Sequence, residues 1–278
     1  MTISVVIRSL NSASTLTKTL DSLIQQTRQV DEIILVDSGS EDNTCEIASS
    51  YGCKIISYPT DIPFNYSRAL NMGIAAAIGE LILIISSHIV FQNNNNLQFM
   101  LEILQRESKI CVVSTYSKHE VHNSMQIQEN LEYRTIFNTN FYGFAMTNFC
   151  SLFLRKHWIE KPFNEAMPSA EDQEWAKYFM DKHDYGTAVI YKPRIEYLNP
   201  YFNAYKVCRD MIVIGRFVHP YALTFKYIIR RVSLRILRCI FTLNFRRLHI
   251  DIKFIYFVIK EKLGRGEVFH SDYHNRKL

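Results

Sequence analysis

The chain has no run of about 18 consecutive apolar residues, the length a helix needs to cross a hydrocarbon layer, so no membrane-spanning segment is expected. Its start lacks the basic stretch and apolar core of an export signal. Strand-like Ile3-Ser4-Val5-Val6-Ile7 follows almost at once, and the expectation is a cytoplasmic protein. Six cysteines are scattered with no Cys-x-x-Cys pair, which argues against a disulfide framework or zinc site and for lone core thiols. Internal repeats and long low-complexity tracts are absent too. What is plentiful is apolar residue. With 47% hydrophobic and 21% charged, the 278 residues can bury a sizeable core and are not disordered. That length suits one large domain, or one domain with an appendage.

The net charge of +5 is unevenly spread. Residues 206–278 carry 16 lysines and arginines against 5 aspartates and glutamates, a net +11, which leaves −6 for residues 1–205. The same boundary separates two hydropathy patterns. Up to about Tyr205, short apolar strands alternate with amphipathic helices, the signature of a largely parallel sheet. Strands are predicted at Ile3–Ile7, Glu32–Val36, Lys54–Tyr58, Leu81–Ile85, Ile110–Thr115, Phe149–Leu154 and Ala188–Tyr191. Helices are predicted at Ser14–Gln26 (capped by Ser14 or Thr15), Asp42–Tyr51, Asn65–Ala77, Leu97–Arg106 and Glu171–Lys182. Residues 119–142 are polar and irregular and read as a loop or lid. The expected organisation is a catalytic domain over 1–205 and a basic, amphipathic helical region over 206–278.

Val36-Asp37-Ser38-Gly39-Ser40-Glu41-Asp42-Asn43-Thr44 follows the second predicted strand. By itself it is a strand-to-helix turn, with Gly39 for the tight bend and Ser40 and Asp42 available to cap the next helix. It also resembles the Asp-Asp/Ser-Gly-Ser-x-Asp-x-Thr signature of the family 2 inverting glycosyltransferases. Three further landmarks fall in the same order: Ser4-Val5-Val6-Ile7-Arg8-Ser9-Leu10-Asn11, Asn71-x-Gly73 with Ala77 and Gly79, and Glu171-Asp172. The resemblance runs from Ile3 to about Phe179. It implies an α/β chain with a GT-A (Rossmann-like) mixed, mainly parallel sheet flanked by helices. It further implies a nucleotide site at Ser9, Asn11, Asp37, Ser38 and Gly39. The chemistry agrees: Asp37 ends a strand at the expected edge of an open α/β sheet, where a carboxylate can accept from a base N–H or a ribose hydroxyl. Arg68 is a candidate contact to base or phosphate, with a surface salt bridge as the alternative. Arg8 stands where many relatives have proline, and suits either phosphate binding or a neighbouring acid.

Members of that family usually carry Asp-x-Asp after the fourth strand, holding a divalent cation on the diphosphate. This chain has Ser86-Ser87-His88. Manganese tolerates imidazole and magnesium favours oxygen ligands, so His88 is read as a ligand of Mn2+ or Mg2+, or as a direct partner of the diphosphate. The other possibility is a histidine bonded within the fold and no metal. The later histidine of many such enzymes is missing from Glu196-Tyr197-Leu198-Asn199-Pro200.

Inverting transfer needs a carboxylate to take the proton of the acceptor hydroxyl. Asp172, with Glu171 beside it, is the expected base, at a helix start where the dipole favours ionised acids. Asn148, Ser151 and Trp175 are expected around the sugar and acceptor, although Trp175 also suits core packing.

In Phe217–Lys262, Tyr227, Ile228, Val232, Ile236 and Ile240 fall near helical spacing, interleaved with Arg230, Arg231, Arg235 and Arg238. This suits an amphipathic helix on an anionic membrane surface. Nucleic-acid binding is the rival reading of a basic patch and is set aside, because the tail is as apolar as it is basic and lacks a recognisable module. Packing of the apolar face on the catalytic domain, or on a second subunit as a homodimer, is the third. The resemblance implies a non-processive enzyme at the inner face of the plasma membrane. It would move one sugar from a nucleotide-sugar, UDP-linked by default, to a lipid-linked or growing capsule, O-antigen or lipopolysaccharide glycan. The Gln-x-x-Arg-Trp segment of processive synthases is absent. A non-catalytic nucleotide-sugar-binding module is the rival encouraged by the missing Asp-x-Asp. A sugar-nucleotide pyrophosphorylase would open with a Gly-rich loop that this chain lacks.

Overall fold

In a computed structural model of the chain, residues 1–117, 131–134, 146–198, 204–218, 220–242 and 248–263 are described. The first half is a parallel sheet. β1 (Ile3–Ser9), β2 (Glu32–Asp37), β3 (Lys54–Ser57) and β4 (Leu81–Ser86) lie in the order β3-β2-β1-β4. Their crossovers are α1 (Ala13–Ile24), α2 (Thr44–Ser50) and α3 (Tyr66–Ala75). Successive side chains on a strand point to opposite faces, and each face here is covered. Val6, Ile34, Val36, Ile82 and Ile84 enter one core, whereas Ile3, Val5, Ile7, Leu35, Leu83 and Ile85 enter the other. Burial on both faces is why the central strands read as continuous apolar runs. β3, at the edge, is half-exposed.

Local chemistry sets the helices. Leu16, Leu20 and Leu23 line one side of α1 and are fully buried, each stabilising the fold by about 1.5–3 kcal/mol. The Ser12 carbonyl, rather than a Ser14 or Thr15 side chain, starts α1 by accepting the Leu16 N–H at 2.9 Å. Asn65 caps α3 through its side chain, which accepts the Arg68 N–H at 2.9 Å. Gly73 lets α3 lie against the sheet: a Cβ there would come within 2.5 Å of Val6 Cγ1.

The second half extends the sheet with mixed strands. They are β5 (Ile89–Phe91), β6 (Ile110–Ser117), β7 (Leu131–Arg134), β8 (Cys150–Leu154) and β9 (Gly186–Tyr197), with α4 (Asn96–Arg106), α5 (Arg155–Glu160) and α6 (Glu171–His183) between them. The order continues β4-β8-β6-β9-β5, and β7 pairs with β9. Besides the short α5, three strand features escaped the sequence reading. The short β5 is hidden after Ser86-Ser87-His88. β7 interrupts the segment read as a loop, the rest of 119–142 lying outside the described residues. And β9 runs on to Tyr197, six residues beyond the expected end.

The basic region forms α7 (Ala204–Phe217), a 3-10 turn at Pro220–Leu223, α8 (Phe225–Thr242) and α9 (Leu248–Lys262). One side of this layer is continuous with the core. Cys208, Met211, Ile212 and Val213 of α7, Ile228 of α8, and Phe254, Phe257 and Val258 of α9 join the cluster that contains Trp175 and Phe179. No helix of the described residues is long and apolar enough to cross a membrane.

Candidate active site

An open α/β sheet binds ligands beyond the carboxyl ends of its strands, at the point where the strand order reverses. Here that point is the boundary between β1 and β4. Ser9 is the cross-strand partner of Asp37, and Arg8 of both Val36 and Ser86, so the glycine-containing turn, the first strand and the altered metal segment meet at one edge. Ser9 Oγ is buried with no hydrogen-bond partner among the described residues. An unpaired buried hydroxyl of this kind is uncommon in a folded protein.

Asp37 is buried, and its carboxylate shapes the turn that follows. It accepts the N–H groups of Gly39 at 3.0 Å and Ser40 at 2.9 Å, and the Ser40 hydroxyl at 2.5 Å. Gly39 has φ +91°, which an L side chain strains to adopt. A carboxylate offers about four lone-pair sites, so three strong bonds leave room for one further donor. Ser38, also buried, ties the turn to β1 by donating its N–H to the Ser9 carbonyl at 2.9 Å. Asn11 bridges to the Asp37 turn. Held at φ +48°, it donates its N–H to Ser40 Oγ at 2.8 Å, and its Oδ1 accepts the Glu41 N–H at 2.8 Å.

The acid pair opens α6. Ala170, at φ +58°, bends the chain into the helix in a conformation unusual for a residue with a Cβ. Glu171 is buried, accepts Asn148 Nδ2 at 2.7 Å and lies 3.5 Å from Arg8 Nη1. Gln173 Nε2 donates to the Met146 carbonyl at 2.7 Å, so α6 and residues 146–148 are clamped together. Asp172 keeps partial exposure. Desolvation first, and then the charge of Glu171, raise its carboxyl, whose net value is about 7. The Gln173 N–H and Arg8 pull it back, and Asp210 on α7 raises it again. The guanidinium of Arg8 lies 4.8 Å from the ring centre of Tyr66. Asn148 Oδ1 and Ser169 Oγ are buried without partners among the described residues, a second and third unused polar atom beside the acids.

At the end of β4, His88 Nε2 is 2.5 Å from the Tyr197 hydroxyl and 3.1 Å from Ser86 Oγ, with the two rings edge to face at 4.5 Å. Whether these residues suit a divalent cation can be tested on the donor set. It holds one imidazole, whose Nε2 is engaged, and hydroxyls, which are weak ligands for magnesium or manganese. Glu171 is committed to Asn148 and Arg8, whereas Asp37 keeps one lone-pair site and Asp172 is partly exposed. Among the described residues no group of three or more His, Cys, Asp or Glu is arranged to hold a metal. His88 is thus bonded within the fold, through Nε2 to Tyr197 and Ser86, the alternative that stood beside its reading as a ligand or diphosphate partner.

Three further expectations need correcting. Trp175 is fully buried among Phe153, Phe163 and Phe179, with Nε1 donating to the Lys161 carbonyl at 2.7 Å, so it is core and has no face for a sugar. Ser151 sits inside the sheet, bonded to Ser114 Oγ at 2.6 Å and the Thr147 carbonyl at 2.8 Å, so it lines no pocket. Arg68 faces Glu165 in a half-exposed pair at 2.8 Å, the salt-bridge alternative. Two residues outside the expected set contact candidate residues, Tyr197 at His88 and Tyr66 at Arg8. Tyr197 was hidden by the underestimated length of β9, and Tyr66 by the absence of any periodic signal at a helix start. A shallow surface hollow of about 330 Å³, lined by residues including Lys177, Tyr178, Lys182 and Phe217, contains none of the site residues.

Residues 4–162 match the family model described as Glycosyl transferase family 2. The chain is similar to the O-antigen chain rhamnosyltransferase WbaN of Salmonella anatum, at 29% identity over 40% of this chain and 36% of that protein. Among solved structures it is similar to S. aureus TarS 1-349 in complex with UDP-GlcNAc, at TM-score 0.61 and 18% identity over 94% of this chain and 81% of that one. It is likewise similar to glucosyl-3-phosphoglycerate synthase from Mycobacterium tuberculosis in complex with Mn2+, UDP and glucosyl-3-phosphoglycerate. There the TM-score is 0.56 and the identity 18%, over 78% of this chain and 80% of that one. At such identity the structures speak for the fold. The chain spans two fifths or less of the length of the curated relatives it matches.

Proposed function

The chain belongs to glycosyl transferase family 2, and from that premise we propose that it transfers one sugar, with inversion, from a nucleotide-sugar to a hydroxyl of a glycan acceptor. One observation carries the reading. Arg8 and Ser9 are neighbours on β1; Ser9 pairs with Asp37 and Arg8 meets Glu171, so a nucleotide-turn carboxylate and an acid pair share one strand end. In this reading Asp37, Ser38 and Gly39 receive the nucleoside with Ser9, and Asn148 and Ser169 border the sugar and acceptor. Asp172 takes the proton of the acceptor hydroxyl while its oxygen bonds to the anomeric carbon and the bond to the diphosphate breaks. A base titrating near neutrality suits that task, since it is ionised in use yet basic enough to accept the proton.

The acceptor is read as a lipid-linked or growing surface glycan, in keeping with the O-antigen enzyme among its relatives. The tail supports work at a membrane. Phe225, Ile229 and Ile236 on α8, and Ile252, Tyr256 and Ile259 on α9 with Leu263 just after it, are exposed at helical spacing, opposite the faces that join the core. Lys226 and Arg230, and Lys253 and Lys262, are exposed beside these stripes. Apolar groups flanked by cations suit an anionic headgroup layer, where each basic side chain contributes about 1 kcal/mol. Residues 206–278 then serve as a docking layer on a catalytic unit of residues 1–205, at the cytoplasmic face of the membrane. A homodimer through the same stripes is the competing use.

A thermal-shift panel of UDP, dTDP and GDP against the full chain tests the nucleotide reading, because a bound ligand stabilises the fold by mass action. A rise in Tm with one of them is expected. No rise with any, at millimolar ligand, contradicts it.

A further inference from the structure

We propose that Arg8 is a positioning residue for the acid pair, held on the face of Tyr66 by the same helix, α3, that anchors the chain leading into the pair. This rests on the reading of Asp172 as the transfer base and goes beyond it, since that reading gives neither Arg8 nor α3 a task.

The strand pattern places the guanidinium. Side chains two apart on a strand leave the same face, and Val6 enters the core shared with Ala69 and Leu70 of α3 and Trp175 and Phe179 of α6. Arg8 continues that row at the carboxyl end of β1, where the apolar packing stops. Its guanidinium carbon lies 4.8 Å from the ring centre of Tyr66, the first residue of α3. Its Nη1 lies 3.5 Å from Oε1 of Glu171, the first residue of α6. A cation over an aromatic face gains about 0.5–2 kcal/mol, and a planar guanidinium stacks there better than an ammonium. The Arg8 side chain is only 17% exposed, so solvent screens its charge incompletely.

The same helix holds the approach to the acids. Asn65 Nδ2 donates to the Glu165 and Met167 carbonyls at 2.9 and 3.2 Å, and Ser67 Oγ to the Asn164 carbonyl at 2.8 Å. Asn71 Nδ2 donates to the Phe163 carbonyl at 2.9 Å, and its Oδ1 accepts the Phe163 N–H at 3.0 Å. Arg68 adds its pair with Glu165 at 2.8 Å. Residues 163–167 form no helix or strand, so side chains of α3 take up carbonyls that a regular element would otherwise satisfy. Three residues after Met167 the chain turns at Ala170 into α6 and the acids. Asn71 and Arg68, singled out in the sequence for separate reasons, thus belong to one frame. α3 fixes where α6 begins, and Asn148 and Arg8 meet Glu171 there. The charges acting on Asp172 are those of Glu171, Arg8 and Asp210 of α7. Arg8 is the cation among them, and a cation beside two adjacent carboxylates lets both be ionised together.

The test is a carbon-13 NMR titration of the Asp172 carboxyl in the full chain, assigned by comparison with Asp172→Asn, alongside calorimetry with UDP, dTDP and GDP and their nucleosides. Arg8→Gln should move the midpoint to higher pH, so that the ionised fraction at about pH 7 falls roughly two- to threefold. Arg8→Lys should stay nearer the parent. Tyr66→Leu, which keeps the charge and removes its platform, should shift the midpoint in the same direction by less. Nucleotide affinity should match the parent in all three, and a loss of stability alone would leave the midpoint in place. A folded Arg8→Gln or Tyr66→Leu chain with the parental midpoint overturns the proposal. So does an Arg8→Gln chain that weakens a diphosphate but not its nucleoside, which assigns Arg8 to the phosphates instead. Should Arg8→Gln not fold, Tyr66→Leu alone decides. A parent that binds none of the three diphosphates overturns the nucleotide-sugar reading, whereas the midpoints still decide whether Arg8 governs the acid pair.

Discussion

Arg8, at the end of β1, lies 3.5 Å from Glu171, the first residue of α6, although 163 positions separate them in the chain. That contact joins the carboxyl end of β1 to the acid pair and contributes to the electrostatics of Asp172. Burial and then Glu171 raise its carboxyl, and the Gln173 N–H and then Arg8 lower it. The pair is partly enclosed, so removing the cation alone would leave uncompensated negative charge, which is costly in such a place.

The first prediction concerns pH. With Asp172 titrating at about 7, kcat/KM should rise with pH through that value as the base loses its proton, then level off. Asp210 on α7 raises the same group, so Asp210→Asn should move the midpoint to lower pH. A pH–rate profile of both proteins checks this. Stability should run the other way. The folded form binds the proton more tightly than the unfolded chain, whose aspartate has a model value of 3.8. The group's contribution is therefore complete below about 4 and lost as pH rises to about 7.

Gly79 lies so close to β1 that a Cβ would stand 2.6 Å from the Ser4 backbone nitrogen. Backbone cannot rotate away as a side chain can. Gly79→Ala should therefore destabilise by about 1–3 kcal/mol, read as a fall in denaturant midpoint at unchanged slope.

The two faces of α8 should separate folding from docking. Phe225→Ser with Ile229→Ser changes exposed positions, and should reduce recovery with anionic liposomes while leaving Tm within a degree or two. Ile228→Ser changes a buried position of the same helix and should lower Tm outright. Equal liposome recovery for parent and double variant, in flotation at low salt, would remove the membrane role.

Much of this fold is legible in the sequence because two-sided burial writes itself as apolar runs. β1, β2 and β4 fall within a residue or two of expectation for that reason. The Asp37 turn is legible because φ +91° at Gly39 and three bonds to one carboxylate demand particular residue types. β5, only three residues long, is fixed by its partner strand and not by any local pattern. Trp175 and Ser151 show the opposite failure. Both are chemically able to line a sugar site, and only the packing around them, invisible in a linear pattern, reveals that neither reaches a surface. The tail was legible as amphipathic but not as two-faced, because periodicity does not say which of two apolar faces finds the core.

The most direct measurement is the split between binding and turnover in two single variants, Asp37→Ala and Asp172→Asn, with the preferred nucleotide-sugar and an acceptor glycan. The account predicts that Asp37→Ala weakens nucleotide binding, whereas Asp172→Asn binds like the parent and loses about 100- to 10,000-fold in kcat. Asp172→Asn turning over at the parental rate, or Asp37→Ala binding the nucleotide undiminished, would contradict it.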